Sequence, residues 1–380
     1  MKIMVSAGEL SGDLHGSFLV KELLRLDPSL SFFGIGSERL AASGVDIRFD
    51  LSRRSSVGII EALPNLFSLF LSFKKAKALI RKERPDLVIL IDSQGFNLPL
   101  AGFCKKIGVK TVYYIAPQEW LWGNEKGVKH VLSSVDLVIA IFETEYDRFR
   151  SFGNNVVYFG HPLVDIAHST GPKADLLSKL GLADRSGPIV AICPGSRTHE
   201  LRALLPVFSR TAGLLMRSIP GVSFILPLPS AKFLFEIEKA FAGLPCKYLI
   251  NDTYDALAAS DLAICASGTI NLEAALLSTP NIMAYKLSPL TFFIGKYLLK
   301  IDQKIKYFSM VNILLDKPVI PELIMSGLTP ADLSLSSLAL LDHPQARKEM
   351  LASFSLLKES LGSPGVISRI ARSILDHFSK

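Results

Sequence analysis

Two side chains in this 380-residue chain stand where their neighbours equip them for chemistry, Asp92 and Arg197. Asp92 ends the apolar run Leu87–Ile91 and leads into Ser93-Gln94-Gly95-Phe96-Asn97. Such a run reads as a buried strand, and an acid at its C-terminal tip stands where open α/β sheets bind ligands. There it could take a proton from a hydroxyl, or cap the helix that follows. Arg197 closes Pro194-Gly195-Ser196-Arg197, directly after a second apolar run, Ile189–Cys193. Its planar guanidinium can meet phosphate oxygens as a charged fork. A third corner, Ser267-Gly268-Thr269, joins the run Leu262–Cys265 to a helical stretch, Asn271–Leu277, that Pro280 stops. A glycine-bearing turn at a helix start offers backbone N–H groups to an anion. Glu273, further into that helix, could accept the hydroxyls of a ribose. Taken singly, each corner is also an ordinary strand–turn–helix connection. Together, one corner for a diphosphate and one for a ribose describe a nucleotide-sugar donor site.

Further candidates lie nearer the N-terminus. The strand Lys2–Ala7 runs into Gly8-Glu9-Leu10-Ser11-Gly12-Asp13. This is not the GxGxxG of dinucleotide sites. Gly8 and Gly12, either side of Ser11, would let the backbone approach a ligand, while Glu9 and Asp13 suit hydroxyls and are reserve candidates for the base. Trp120 and Trp122, the only tryptophans, follow the strand Thr111–Ile115. They suit a sugar face or an acyl chain, or anchor their loop. His161, in Gly160-His161-Pro162, either faces a cleft or is structural.

The elements that must position these residues alternate strand and helix throughout, which predicts parallel sheets. The length suits two domains. A stretch richer in Gly, Pro, Ser and charge, His168–Pro188, reads as the linker. The expected organisation is an N-terminal Rossmann-like domain over residues 1–170, a second over 186–345, and C-terminal helices over 346–380 that cross back onto the first. Four cysteines without metal-ligand spacing read as buried thiols of a reducing compartment. A strand beginning at Ile3 leaves no room for a signal peptide. No run reaches the roughly 20 apolar residues of a spanning helix.

Hydrophobic residues make up 49% of the chain and the net charge is +7. That charge is too mild to imply nucleic acid, but it fits an anionic lipid surface or a phosphorylated substrate. Between Ala62 and Phe73 there is no charge, and Leu63, Leu66, Phe67, Leu69, Phe70, Leu71 and Phe73 are apolar. Lys74, Lys75, Lys77, Arg81, Lys82 and Arg84 follow, opposed only by Glu83. A greasy helix beside a basic cluster lies on a membrane without crossing it, or else is a core helix with a solvated end. A second greasy segment is Leu287–Leu299.

With these residues assembled, the chain resembles the lipid-A-disaccharide synthase family. The likeness rests on Ala7–Asp13 (AGELSGD), Asp92 with Phe96-Asn97, Trp120-x-Trp122 and Gly160–Asp165 (GHPLVD). It continues through Pro194–Arg197, Ala266–Thr269 with Leu272-Glu273, and Ser288–Thr291. Departures are Lys126, Val311 and Met325, where the family usually carries Arg, Pro and Gln. The resemblance implies two Rossmann-like domains facing across a cleft, the GT-B-type architecture. It implies inverting transfer of a diacylated glucosamine from UDP to diacylglucosamine 1-phosphate, without metal or other cofactor. Asp92 would be the base. Gly195, Ser196, Arg197, Ser267, Gly268, Thr269, Glu273 and Asn312 would hold the donor. The loop Gly8–Asp13 with Trp120, Trp122 and His161 would face the acceptor. The protein would lie peripherally on the cytoplasmic face of the inner membrane, and a homodimer is one assembly it allows. The rivals are a nucleotide-sugar epimerase of the same architecture, which needs no acyl-binding face, and a non-catalytic lipid or nucleotide-sugar binder, which needs no base at Asp92.

Overall fold

The computed structural model describes residues 1–51, 66–121, 123–195, 197–228, 230–286 and 306–378. Leu63, Trp122, Ser196 and the segment 287–305, with its Leu287–Leu299 stretch, lie outside the described residues, as does the side chain of Leu66. The chain forms two compact units, Met1–Ile166 with Leu361–Lys380, and Ala167–Ser360.

The first unit is built on seven parallel strands: β1 Lys2–Ala7, β2 Ser31–Ile35, β3 Val45–Phe49, β4 Leu87–Ile91, β5 Lys110–Tyr114, β6 Leu137–Ala140 and β7 Val156–Tyr158. They lie in the order β3-β2-β1-β4-β5-β6-β7. β4 is buried at every position and β1 at all but its first. Helices cover both faces of such a sheet, so its central strands are continuous apolar runs rather than alternating ones. The order reverses between β1 and β4, and ligands of open sheets bind at that reversal. Ala7 pairs with Ile91, so the two strands end side by side. The helix Leu66–Glu83 buries Ala76 and Ile80 and packs Phe73 and Leu79 against the core.

The last helix, Val366–Phe378, packs on Leu10–Leu26 within this unit. The Asp165 carboxylate accepts from the N–H groups of Gly365 (2.7 Å) and Ile367 (2.8 Å). That satisfies orphan donors at the helix start and holds it in place.

The second unit carries six parallel strands: β8 Ile189–Cys193, β9 Ser223–Leu228, β10 Cys246–Ile250, β11 Leu262–Ala266, β12 Asn281–Tyr285 and β13 Glu322–Ile324. Their order is β10-β9-β8-β11-β12-β13, with the same reversal beside the first strand. Cys193 pairs with Cys265, which brings the two strand tips together. Both units are therefore Rossmann-like.

The stretch His168–Pro188, read from composition as a linker, is a folded part of the second unit. Leu176, Leu180 and Leu182 are buried against Ile189, Ile225 and Leu249. Asp255 accepts from the Thr170 N–H, the Thr170 hydroxyl and Lys179 Nζ at 2.7, 2.7 and 2.8 Å. Composition registers turn residues and charge; it does not register that these leucines find a core or these charges a partner.

Candidate functional site

In the first unit, the candidates collect at the tips of β1 and β4. Gly8 and Asp92 follow the paired residues Ala7 and Ile91. Their loops touch: a Cβ added to Gly8 would lie 2.5 Å from Ser93 Oγ, so only glycine allows this approach. Gly12 lies beside Ile91 at ordinary contact distance, its ideal Cβ 3.5 Å from Ile91 Cγ2. Asp92 (φ +52°) and Ser93 (φ +50°) are both left-handed, and Ile115, just past β5, is too (φ +59°). Such conformations in residues other than glycine are costly and cluster at functional sites. Asp92 is half-buried, and its Oδ1 accepts from the Ser93 N–H at 2.7 Å. From Gln94, in the next turn, the side-chain amide donates to Glu119 Oε1 at 2.7 Å. This ties the loop carrying Trp120 to the Asp92 corner. Trp120 is half-buried and packs on Phe142, with ring centroids 5.6 Å apart.

Three expected site residues have structural roles instead. Asp13 is buried, and its carboxylate accepts from the N–H groups of Ser37 (2.5 Å) and Arg39 (3.0 Å), capping the short helix Glu38–Ala42. Burial raises its pKa, and these backbone bonds oppose the rise. A carboxylate so engaged is not a reserve base; Glu9, half-buried on the loop, keeps that place. His161 is buried against Phe142 and His15, and its Nδ1 accepts from the Leu163 N–H at 3.1 Å. Burial, and then the neighbouring His15, hold its pKa well below the usual histidine value. It is a neutral core residue rather than an acceptor contact. Asn312, expected at the donor, is buried and bonded on both sides of its amide. Its Oδ1 accepts from Val319 and Ile320 N–H, and its Nδ2 donates to Ile320 O and Glu322 Oε1. That accounts for the side chain's donors and acceptor, so Asn312 shapes its own loop.

Sequence reasoning missed Glu145. It is fully buried beneath the Phe142 turn, where the Ile141 N–H donates to its Oε2 at 2.7 Å. Burial raises its pKa to about 8 against the pull of the Ile141 and Phe142 N–H groups. A carboxyl with a raised folded pKa contributes stability below its unfolded value, 4.5, and loses it as pH rises through about 8. The melting temperature should therefore fall more steeply between about pH 5 and about pH 8 in the parent than in Glu145→Gln. Identical slopes in the two proteins would show that Glu145 is ionised in the fold.

In the second unit the Gly195 and Ser267 corners lie side by side at the tips of β8 and β11. Gly195 (φ +102°) packs where a Cβ would stand 3.5 Å from that of Ala266 and 2.7 Å from Glu200 Oε2. Arg197 stands at the N-cap of the long helix Thr198–Ser218, with Nη1 2.8 Å from Glu200 Oε1. Ser267 is half-buried, while Gly268 and Thr269 are exposed at the start of the helix Ile270–Leu276. Glu273 is buried within that helix. The Cys265 thiol at the tip of β11 has a raised pKa, through its bond to the Cys193 thiol first, then burial, with the Glu273 charge adding least. Asn271 Nδ2 donates to Ala266 O at 2.9 Å and pins the turn.

Two Rossmann-like units, each built on a parallel sheet with a strand reversal beside its first strand, define the GT-B-type fold class. Solved structures share that fold. A putative UDP-N-acetylglucosamine 2-epimerase from Listeria monocytogenes matches with a TM-score of 0.69 and 13% identity, over 100% of this chain and 96% of that one. The UDP-GlcNAc 2-epimerase from Neisseria meningitidis, bound to UDP-GlcNAc, matches at 0.64 and 12% over 100% of both. At such identities the likeness concerns the fold, which serves many chemistries. The sequence is more specific. The family model described as lipid-A-disaccharide synthetase matches residues 3–363. Lipid-A-disaccharide synthases from Geobacter metallireducens and Syntrophus aciditrophicus are each 38% identical over 100% of this chain and 98% of their own. The chain belongs to the lipid-A-disaccharide synthase family, and so is a glycosyltransferase rather than an epimerase.

Proposed function

We propose that this chain transfers diacylglucosamine from UDP to the primary hydroxyl of diacylglucosamine 1-phosphate, with inversion, releasing UDP and lipid A disaccharide 1-phosphate. Family membership along almost the whole chain supports the reaction. The observation that carries the assignment of roles is Asp92, strained and half-buried at the strand reversal of the first unit. It takes the proton as the acceptor oxygen attacks the anomeric carbon. Arg197 and the backbone of the two corners at β8 and β11 hold the diphosphate and stabilise the charge that builds on departing UDP. Glu273 orients the nucleotide. The test is an incubation of purified protein with both lipid monosaccharides, and with each alone. Disaccharide formed only from the pair is the expected result; a changed donor sugar without acceptor would favour the epimerase reading.

The acyl chains give the helix Leu66–Glu83 a purpose. Phe67, Leu69, Phe70 and Leu71 are exposed, Phe67 by 73% and Phe70 by 51%. Lys74 and Lys75 are exposed on the next turn, with Lys74 Nζ 4.6 Å from the Phe70 ring centroid. Apolar side chains beside cations suit an anionic membrane surface. No helix among the described residues is long and apolar enough to cross a membrane. Phe73 ends the exposed run and meets Phe96 edge to face, with centroids 6.0 Å apart, and Phe96 lies four residues after Asp92. Lipid substrates would thus reach the base from the face that touches the bilayer, on its cytoplasmic side. Replacing Phe67 and Phe70 together by Ser should weaken partitioning onto anionic vesicles at least about tenfold with the fold intact. A folded double variant that binds vesicles as the parent does would remove the membrane reading.

A further inference from the structure

Asp92 and Ser93 form two consecutive left-handed residues, and neither is glycine. Isolated dipeptides do not hold this shape; the surroundings must impose it. Three bonds reach the Asp92 backbone. Its N–H donates to Tyr114 O at 3.2 Å, and its carbonyl accepts from Tyr113 Oη at 2.9 Å and Asn97 Nδ2 at 2.9 Å. The Asn97 amide also donates to Ile91 O (3.0 Å) and Ser6 O (3.2 Å). Its orientation is fixed, because the Ser6 hydroxyl donates to Oδ1 at 2.7 Å and three carbonyl oxygens face the other side. Asn97 and Tyr113 are both buried, so neither can itself meet a bilayer-borne substrate. The Ser93 carbonyl accepts from the N–H groups of Phe96 and Asn97, both at 2.9 Å, which fixes the next peptide as well. The corner is thus held from β1, β4 and β5 at once.

We propose that Tyr113 and Asn97 are positioning residues. They clamp the Asp92 carbonyl, hold the peptide in its left-handed turn, and so aim the carboxylate at the acceptor hydroxyl. This rests on the reading of Asp92 as the base. Capping does not account for it: the N-cap of the following helix, Gln94–Lys106, is Ser93, whose side chain makes no capping bond, and an N-cap ordinarily has an extended backbone. The hydroxyl of Tyr113 is an uncommon cost in a fully buried strand position, and it donates to the carbonyl of the residue read as the base. Releasing the carbonyl would let the turn relax, and a small misplacement of a base costs rate without costing substrate binding.

Asn97→Ala removes four bonds from a buried site and could unfold the unit, so Tyr113→Phe is the informative change. It deletes one oxygen and keeps the ring in the core. The expected variant folds as the parent does and keeps its KM and its affinity for UDP, while kcat falls roughly tenfold, the size of one well-placed hydrogen bond. The decisive comparison adds Tyr113→Phe to Asp92→Asn. If the hydroxyl acts through Asp92, the double variant turns over no more slowly than Asp92→Asn alone. Parental kcat in Tyr113→Phe would overturn the proposal. So would the same fractional loss in both backgrounds, which would mean the tyrosine supports the fold in general. An Asp92→Asn enzyme with parental turnover would instead remove the base, and the clamp's purpose with it.

Discussion

Asp92→Asn should yield a folded protein that binds UDP-sugar nearly as the parent does and turns over at least about a hundredfold more slowly. The acceptor's primary hydroxyl is a poor nucleophile at neutral pH, and a positioned base contributes typically ~10²–10⁴-fold. Asparagine keeps the size of the side chain and can still accept the Ser93 N–H through its carbonyl oxygen, the bond that Asp92 Oδ1 accepts at 2.7 Å. It cannot take the proton. The backbone bonds to Tyr113, Tyr114 and Asn97 are untouched by the change, so the corner should survive it. The measurement is kcat under saturating donor, beside a UDP-binding titration. Near-parental turnover would reduce Asp92 to a loop residue. The search would then move to Glu9, because Asp13 is committed to the helix Glu38–Ala42.

What could be read from the sequence was whatever depends on local pattern. Apolar runs marked the central strands of both sheets, since a strand covered on both faces shows no alternation. The residues after those runs marked the strand tips, and with them Asp92, Gly195 and Ser267. Roles set by partners distant in sequence could not be read. Asp13 finds the N–H groups of a helix that starts twenty-five residues on, and His161 finds His15 on the helix Leu10–Leu26. Asn312 closes on Glu322 and Ile320. Each is a polar residue in a motif, and a motif does not say whether a polar group faces a ligand or a neighbour. Tyr113 left no signal, because an aromatic residue in a buried strand looks like core.

Arg197→Ala should weaken UDP-sugar binding by roughly ten- to a hundredfold, the range of a lost charge-assisted hydrogen bond, and should lower kcat as well. Both effects are expected because the phosphate charge exists in the bound donor and grows as UDP departs; a partner gains on a developing charge in the transition state. Arg197 stands at the N-cap of a 21-residue helix, whose exposed N–H groups and dipole favour the same anion. Its guanidinium is steadied by Glu200, 2.8 Å from Nη1, and Glu200 in turn lies against Gly195, where any side chain would collide with its Oε2. The glycine, the glutamate and the arginine are therefore one device, which presents the fork in a fixed direction at the tip of β8. Arg197→Lys separates charge from geometry. A lysine restores the charge but not the two parallel donors, so it should recover binding more than turnover. If Arg197→Ala binds UDP as tightly as the parent, the diphosphate is held elsewhere and the donor site must be sought away from the β8 corner. If alanine and lysine variants lose turnover equally while binding recovers only with lysine, the planar fork rather than its charge stabilises the leaving group.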